Sequence, residues 1–473
     1  MHLFIVLLFV GLFVTSQVEI PTATSNAWLG VILLPKVILA VVYAWLCRFT
    51  LVRLSTLDGQ QALARMGRLS GVYRLAVLGL FFVDLALGAF GSLRHWILID
   101  ELLIMAPTMA MVIWAWWVYY PIDRKLRDIQ LVYRIEEGLP IHPIWSRGQY
   151  VLIQFRYQVA LVFVPLVLLL VLMEMIDRYV PRDLFAFDLR PLVHFCGAGC
   201  VFLFAPLVIR RLWDTVPLPA GEVRDQLTDM CKQYRVGVRE LLLWRTFGGV
   251  INAAVMGLVR PLRYILLTDA LLEMVPQVQI EAVMAHELAH VRRRHIFWML
   301  CAALAMMILM TTVWAYGYPL VVACIPLDWV SMLPAWLVSR NGHEHVIAVL
   351  SVVCWLICFG WISRRYERQA DTFAVIHMAD SARRNGHFDD EVVIDEQSVR
   401  TMIQALDSVA RLNQLPLKRR SWRHGSIAWR QDYLRTLIGC PVAVMPIDRQ
   451  VMCINAFSFM ILVAAAVVAV LDV

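Results

Sequence analysis

The chain has 473 residues, of which 60% are hydrophobic and 17% charged, with a mean hydropathy of +0.67. Soluble domains carry about 25% charged residues, so this composition excludes an ordinary soluble protein and implies an integral membrane one. The formal charge of +7 comes with no basic module of its own fold. It speaks for membrane topology and attraction to anionic lipid rather than for nucleic-acid binding.

In chain order, spans are expected at Leu3–Ser16, Trp28–Cys47, Leu75–Leu93, Leu102–Tyr119, Val159–Ile176, Pro191–Ile209, Ile296–Tyr316, Val346–Ile362 and Ile454–Leu471. The first has no Lys or Arg ahead of its apolar run and no small-x-small cleavage site, so it is taken as an uncleaved span. Nine spans place the Arg-rich loops on one side: Arg48 to Arg74, Arg124 to Arg156, and the polar segments 210–295 and 363–450. By the positive-inside rule the N-terminus and both large polar segments are cytoplasmic, and the C-terminus is outside. The expected organisation is a membrane domain of about six spans (1–209) and a polar segment (210–295). Two spans with an outer loop (296–362), a second polar segment (363–450) and a last span (451–473) follow. Ten Cys include no C-x-x-C pair and mostly lie in or beside spans, which suits apolar packing and a reducing compartment.

Within 210–295, helical spacing covers Gly221–Tyr234, and Val236–Trp244 has strand character. A Gly248-Gly249 turn leads into a short strand near Ala253. Tyr264–Leu267 forms another strand, and Thr268 or Asp269 is expected to cap a short helix through Leu272. From Gln277 the pattern is helical and is expected to run unbroken through His290 into the seventh span.

That last helix carries His286-Glu287-Leu288-Ala289-His290. Residues four apart share a helix face, so both imidazoles can hold one metal ion, and Glu287 can reach a water beside it. This is half of a hydrolytic zinc site; a third ligand is needed. His295 lies about 140° round the helix from His290, which sets it apart from that ion while the helix continues. His343 and His345 fall in the outer loop, and His377 and His387 stay open as candidates. Glu367 is the stronger one. It lies about five residues beyond the eighth span, as His290 lies about six residues before the seventh, so antiparallel neighbours present both at similar height. Asp371, one turn on, can accept the outer N–H of a ligand His and fix its tautomer.

H-E-L-A-H with His295, followed by S-R-R-Y-E-R-Q-A-D at 363–371, resembles the membrane zinc metallopeptidases that include HtpX and the type I CaaX prenyl proteases. The resemblance implies Zn2+ held by His286, His290 and Glu367, with Glu287 as base and Asp371 behind the ligands. Asn252-Ala253 with Gly257 is similar to the family strand that lines the substrate groove. His424-Gly425-Ser426-Ile427-Ala428-Trp429-Arg430 is similar to its H-P-x-x-x-x-R segment, with glycine in place of proline. By that resemblance His424 stabilises an oxyanion, Asn252 contacts substrate, and Arg430 organises the site and its substrate.

The expected fold is therefore mainly α, a multi-span membrane protein of about nine helices with a cytoplasmic α+β metallopeptidase domain carrying a small sheet. The expected partners are a protein or peptide substrate and the lipid bilayer. Two other functions compete with an enzyme. A membrane sensor built on a metalloprotease domain would need an outer ligand-binding domain, and the outer loops are short. A channel or transporter would draw on Lys36 and Asp84, both inside spans, which can equally pair with each other.

Overall fold

The computed structural model describes residues 27–54, 59–86, 100–136, 138, 140–180, 190–317, 340–385, 393–413, 415–442 and 445–471. The chain divides into two compact units, Met1–Thr215 and Val216–Val473. The expected span Leu3–Ser16 lies outside the described residues.

In the first unit, apolar runs fold into long helices: α1 (Ala27–Arg53), α2 (Gly59–Ala86), α3 (Asp100–Glu136), α4 (Arg147–Gln154), α5 (Leu161–Tyr179) and α6 (Arg190–Leu212). A π-helical stretch, Phe155–Ala160, joins α4 to α5, so the two form one span-length rod. Inside the bundle, Lys36 Nζ lies 2.5 Å from Asp84 Oδ2, and both side chains are buried. Each charge alone would be costly in a bilayer, and the pair answers the two intramembrane charges seen in the sequence. Tyr43 meets Ser70 at 2.9 Å, and Tyr73 donates to the Met111 carbonyl at 3.0 Å, so these two buried hydroxyls also find partners across helices.

The second unit opens with β1 (Thr215–Pro217), which starts at the division. It continues with α7 (Glu222–Gln233), β2 (Glu240–Trp244), β3 (Ala253–Met256), β4 (Tyr264–Thr268), α8 (Asp269–Met274), α9 (Gln277–Arg292) and α10 (His295–Thr312). It ends with α11 (Arg340–Asn385), α12 (Glu396–Leu412), α13 (Ile427–Arg435) and α14 (Pro446–Leu471). Among the described residues, seven helices are long and apolar enough to cross a membrane, five in the first unit and two, α10 and α14, in the second. The segment expected as an eighth span, Val346–Ile362, lies in α11. That helix runs on for 46 residues and carries Glu367 on its continuation, as the sequence pattern implied.

The sheet order is β1-β2-β4-β3. β2 runs parallel to β4, with Glu240 opposite Tyr264, and β3 runs antiparallel, with Ala253 opposite Leu267. β4 is central and fully buried, while β3 is an edge. Thr268 caps α8 by accepting from the Leu271 amide, as expected. Its hydroxyl also accepts from the Asn252 amide, which fixes the start of β3. Asn413, at the end of α12, clamps the residue before it: its side chain accepts from Ile251 N at 3.1 Å and donates to Ile251 O at 2.8 Å.

One expectation fails. The HExxH helix does not run into the membrane. α9 ends at Arg292, Arg294 takes a left-handed conformation (φ 55), and α10 begins at His295. Three successive exposed arginines close the helix where its dipole favours positive charge, and the left-handed residue turns the chain. α9 packs on α11 and α12. Its buried Ala282, Ala285 and Ala289 have counterparts in Ala370 and Ala374 of α11, all at or near zero exposure. Small residues on both helices permit the close end of the ordinary interaxial range of about 8–10 Å.

Gly257 closes β3 at φ +101, and a Cβ there would lie 2.1 Å from the Leu262 carbonyl oxygen. Gly257→Ala is expected to cost roughly 3 kcal/mol through backbone strain and that clash. A thermal melt of the purified protein in detergent should show a lowered midpoint; an unchanged one would contradict the assignment.

Candidate metal centre

The i, i+4 spacing on α9 does what helical geometry requires. His286 Nε2 and His290 Nε2 face each other at 3.3 Å. Glu367 comes across from α11, with Oε2 3.6 Å from His286 Nε2 and Oε1 3.8 Å from His290 Nε2. The three donors lie within 4.8 Å of one another, and they form the one such cluster found among the described residues. A tetrahedral ion with bonds of about 2.0–2.2 Å separates its ligands by about 3.3–3.6 Å, so the triangle has the size that zinc requires.

The outer hydrogen bonds fix which ring nitrogen points inward. Gln369 Oε1 can only accept, so His295 carries a proton on Nε2, 2.8 Å away. His295 Nδ1 is then free to accept from His290 Nδ1–H at 2.9 Å, which leaves the His290 Nε2 lone pair facing the cluster. Gln369 in turn donates to Asp448 at the start of α14. On the other side, the Asp371 carboxylate lies 2.9 Å from His286 Nδ1 and favours a proton there, leaving Nε2 to face the cluster. Two imidazole nitrogens and a carboxylate converging at this spacing need a cation among them, either a proton on His286 or a metal ion in its place. The donor set therefore fits a divalent metal ion.

Asp371 is fully buried and compensated by Arg430, whose Nε donates to Oδ2 at 2.8 Å and whose NH2 group donates to Oδ1 at 2.5 Å. Burial alone would raise the Asp371 pKa; Arg430 and His286 outweigh it and hold the group ionised. Burial also opposes the charged form of His286, but Asp371 and Glu367 prevail and raise it to about 9. Burial keeps His290 well below its usual range. Glu287 lies beside the ligands, and burial raises its carboxyl to about 7, within the range of a general base at neutral pH.

A cavity of about 720 Å³ opens onto the cluster. Asn252 to Val255, the β3 edge, form one wall with Glu287 and the ligands at its floor. His424, half exposed, reaches in with Nδ1 2.9 Å from Glu367 Oε1. Gly425 explains the departure from the family's proline: its φ of +75 is closed to proline, and a Cβ there would strike the Trp429 ring at 2.7 Å. Arg430, expected to organise the site and its substrate, is buried with its guanidinium engaged by Asp371, and also stands 3.6 Å from Glu367. His377 is not brought to the cluster. It bridges Glu281 of α9 at 2.9 Å and the Tyr234 hydroxyl at 2.6 Å. His387 lies outside the described residues.

Sequence reasoning missed Gln369, Asp448 and Asn413, and it set His295 apart from the ion without placing its ring behind His290. For His295 the usable signal was the Arg292-Arg293-Arg294 run, which marks a helix end. For Asp448 it was an acidic group in the first turn of an apolar helix.

Fold and site together define a membrane metallopeptidase as the supported class. Residues 217–388 match the model described as Peptidase family M48. That segment holds His286, Glu287, His290, Glu367 and Asp371, while His424 and Arg430 lie beyond it. Among solved structures, the chain is similar to "Crystal Structure of S. mikatae Ste24p", at 13% identity and a TM-score of 0.44 over 88% of this chain and 100% of that one. No curated protein matches the sequence.

In the metal-free protein His286 is protonated at neutral pH, whereas His290 is neutral and Glu367 ionised. Binding a dication must displace one proton. Affinity should therefore rise about tenfold per pH unit below about 9 and level off above it. Chelator-competition titrations across that range measure the slope; a flat response would rule out His286 as a ligand.

Proposed function

We propose that the chain is a membrane-embedded zinc endopeptidase acting at the cytoplasmic face on membrane-associated, misfolded or lipidated proteins. The observation that carries this reading is the convergence of His286, His290 and Glu367 on the floor of a cavity with an edge strand as its wall. The Arg-rich character of 210–295 and 363–450 supports the cytoplasmic side.

His286 Nε2, His290 Nε2 and Glu367 would hold the ion. When bound, zinc supplies Lewis acidity, lowering the pKa of water towards 7 and polarising a carbonyl. A substrate in extended conformation adds to the free edge of β3, and Asn252 meets it at the end nearer the sheet's Thr268 clamp. This places a peptide carbonyl over the cavity floor. Glu287 takes the proton of the attacking water and delivers it to the leaving amine. The imidazole of His424 donates to the oxygen that gains charge as the carbonyl becomes tetrahedral. Asp371, held by Arg430, keeps His286 in its inward tautomer, and His295 does the same for His290.

Glu287→Gln should abolish peptide cleavage while zinc content stays at one per chain; an active variant would sink the proposal. The acid limb of kcat/KM reports the Glu287 carboxyl, since only its ionised form can accept the proton. Burial sets it near 7, and a neighbouring dication draws it back towards 4.5. A rate that falls with falling pH through that interval is expected, and a limb that shifts in Glu287→Asp identifies the group.

A further inference from the structure

The arginines that line the cavity, together with three more on α11, divide into two sets by what they touch. Arg430 is held by Asp371, Arg364 donates to the Trp422 carbonyl, Arg365 lies over Trp361, and Arg368 lies over Trp429 and Tyr433. Arg419, Arg420 and Arg423 also line the cavity, yet no acidic group or ring pairs with any of them among the described residues. Among the described residues the carboxylates lining it are Glu287 and Glu367, and Glu367 is already matched by His424 and the ligand histidines.

The loop that carries these three cations is built to stay in place. Ser421 and Gly425 exchange backbone hydrogen bonds at 3.2 and 3.1 Å, closing a tight turn. Trp422 anchors it to α11: its indole donates to the Leu356 carbonyl at 2.7 Å, and its ring stacks on Phe359 at 5.6 Å. Gly360 makes the room, because a Cβ there would meet the indole nitrogen at 2.6 Å. Across the cavity, α12 offers Met402, Leu406 and Val409 as an apolar wall. The result is a greasy channel with a fixed cationic rim beside His424.

We propose that Arg419, Arg420 and Arg423 are specificity determinants, selecting peptides that carry acidic side chains next to the apolar residues flanking the cleaved bond. The inference rests on the peptidase reading above. Rim cations at the mouth of a cavity steer oppositely charged ligands and act mainly on capture, so the effect belongs in kcat/KM and weakens with salt. Solvent-exposed pairs are individually weak, so about threefold per acidic residue, and about tenfold for two, is the expected size.

The test uses full-length zinc-loaded protein in a neutral detergent, with quenched fluorescent peptides sharing an apolar centre. A Glu pair, a Gln pair or a Lys pair is placed on either side. The wild type should prefer Glu over Gln over Lys; R419E/R420E/R423E should invert that order, and the three Arg→Gln changes should flatten it. Because each preference is a ratio measured on one preparation, partial loss of folded protein does not affect it. Binding of the same peptides to Glu287→Gln, followed by fluorescence anisotropy, is expected to show the same order without turnover. A protein that binds in this order but cleaves nothing upholds the rim and refutes the peptidase reading. An enzyme that cleaves all three peptide sets alike, in wild type and charge-reversed forms, overturns the rim proposal. So does a charge reversal that leaves peptide order intact but removes a dependence of activity on anionic phospholipid in nanodiscs, because the loop would then serve the membrane.

Discussion

The site depends on one buried charge arrangement between two helices. α9 and α11 bring His286 and Asp371 together with no solvent to screen them, and Arg430 from α13 closes the group with a two-pronged grip on the carboxylate. An isolated carboxylate at zero exposure would cost several kcal/mol, and deleting one partner of such a set typically costs about 3–5 kcal/mol. The arrangement is therefore more than adhesive. It makes only one register of α9 against α11 tolerable, because a slide of either helix by one turn would leave Asp371 or Arg430 uncompensated. Ala282, Ala285 and Ala289 facing an alanine-bearing helix allow the approach; the charges choose its register.

The two ligand histidines are oriented from opposite sides by different parts of the chain. His286 answers to Asp371 and thus to α13. His290 answers to His295, then Gln369, then Asp448, the last two positions lying on α11 and on the first turn of the C-terminal span. Arg293 closes that second chain on Asp448 at 3.3 Å. Each membrane-length helix of this unit thus begins with a residue that helps set an imidazole. A shift of α10 or α14 would be felt at the metal ligands through hydrogen bonds alone, with no change in the ligands themselves.

Much of this was legible in the sequence, and the limits have physical causes. The HExxH spacing and the height of Glu367 follow from rise and periodicity, which any helix obeys, so the ligand set could be read from local rules. His295 shows the limit of those rules: 100° per residue holds only while the helix lasts, and Arg294 ends it. Once the helix breaks, a residue that periodicity sends away from the metal returns behind His290. Asn413 could not be found in this way, because it clamps Ile251 from 162 positions away and carries no local pattern. The sheet order, with β3 as the edge, was likewise fixed by long-range pairing, although each strand was visible as an apolar run.

The break at Arg294 also bears on how a cluster of metal-ligating side chains can stand at the start of an apolar helix. A continuous helix would project His295 into the spanning segment with its imidazole unpaired, at a cost that the membrane interior makes severe. Turning the chain there buries His295 against Tyr366, ring on ring at 4.9 Å, and gives both of its nitrogens a partner. The polar network that orients the metal ligands is thereby completed within the protein. Beyond its first turn, α14 adds Asn455, which accepts from the Tyr366 hydroxyl at 2.7 Å. The split cluster, two imidazoles before α10 and a carboxylate on α11, then follows from where polar groups can be satisfied: at the ends of apolar helices, where backbone and side chains already face one another.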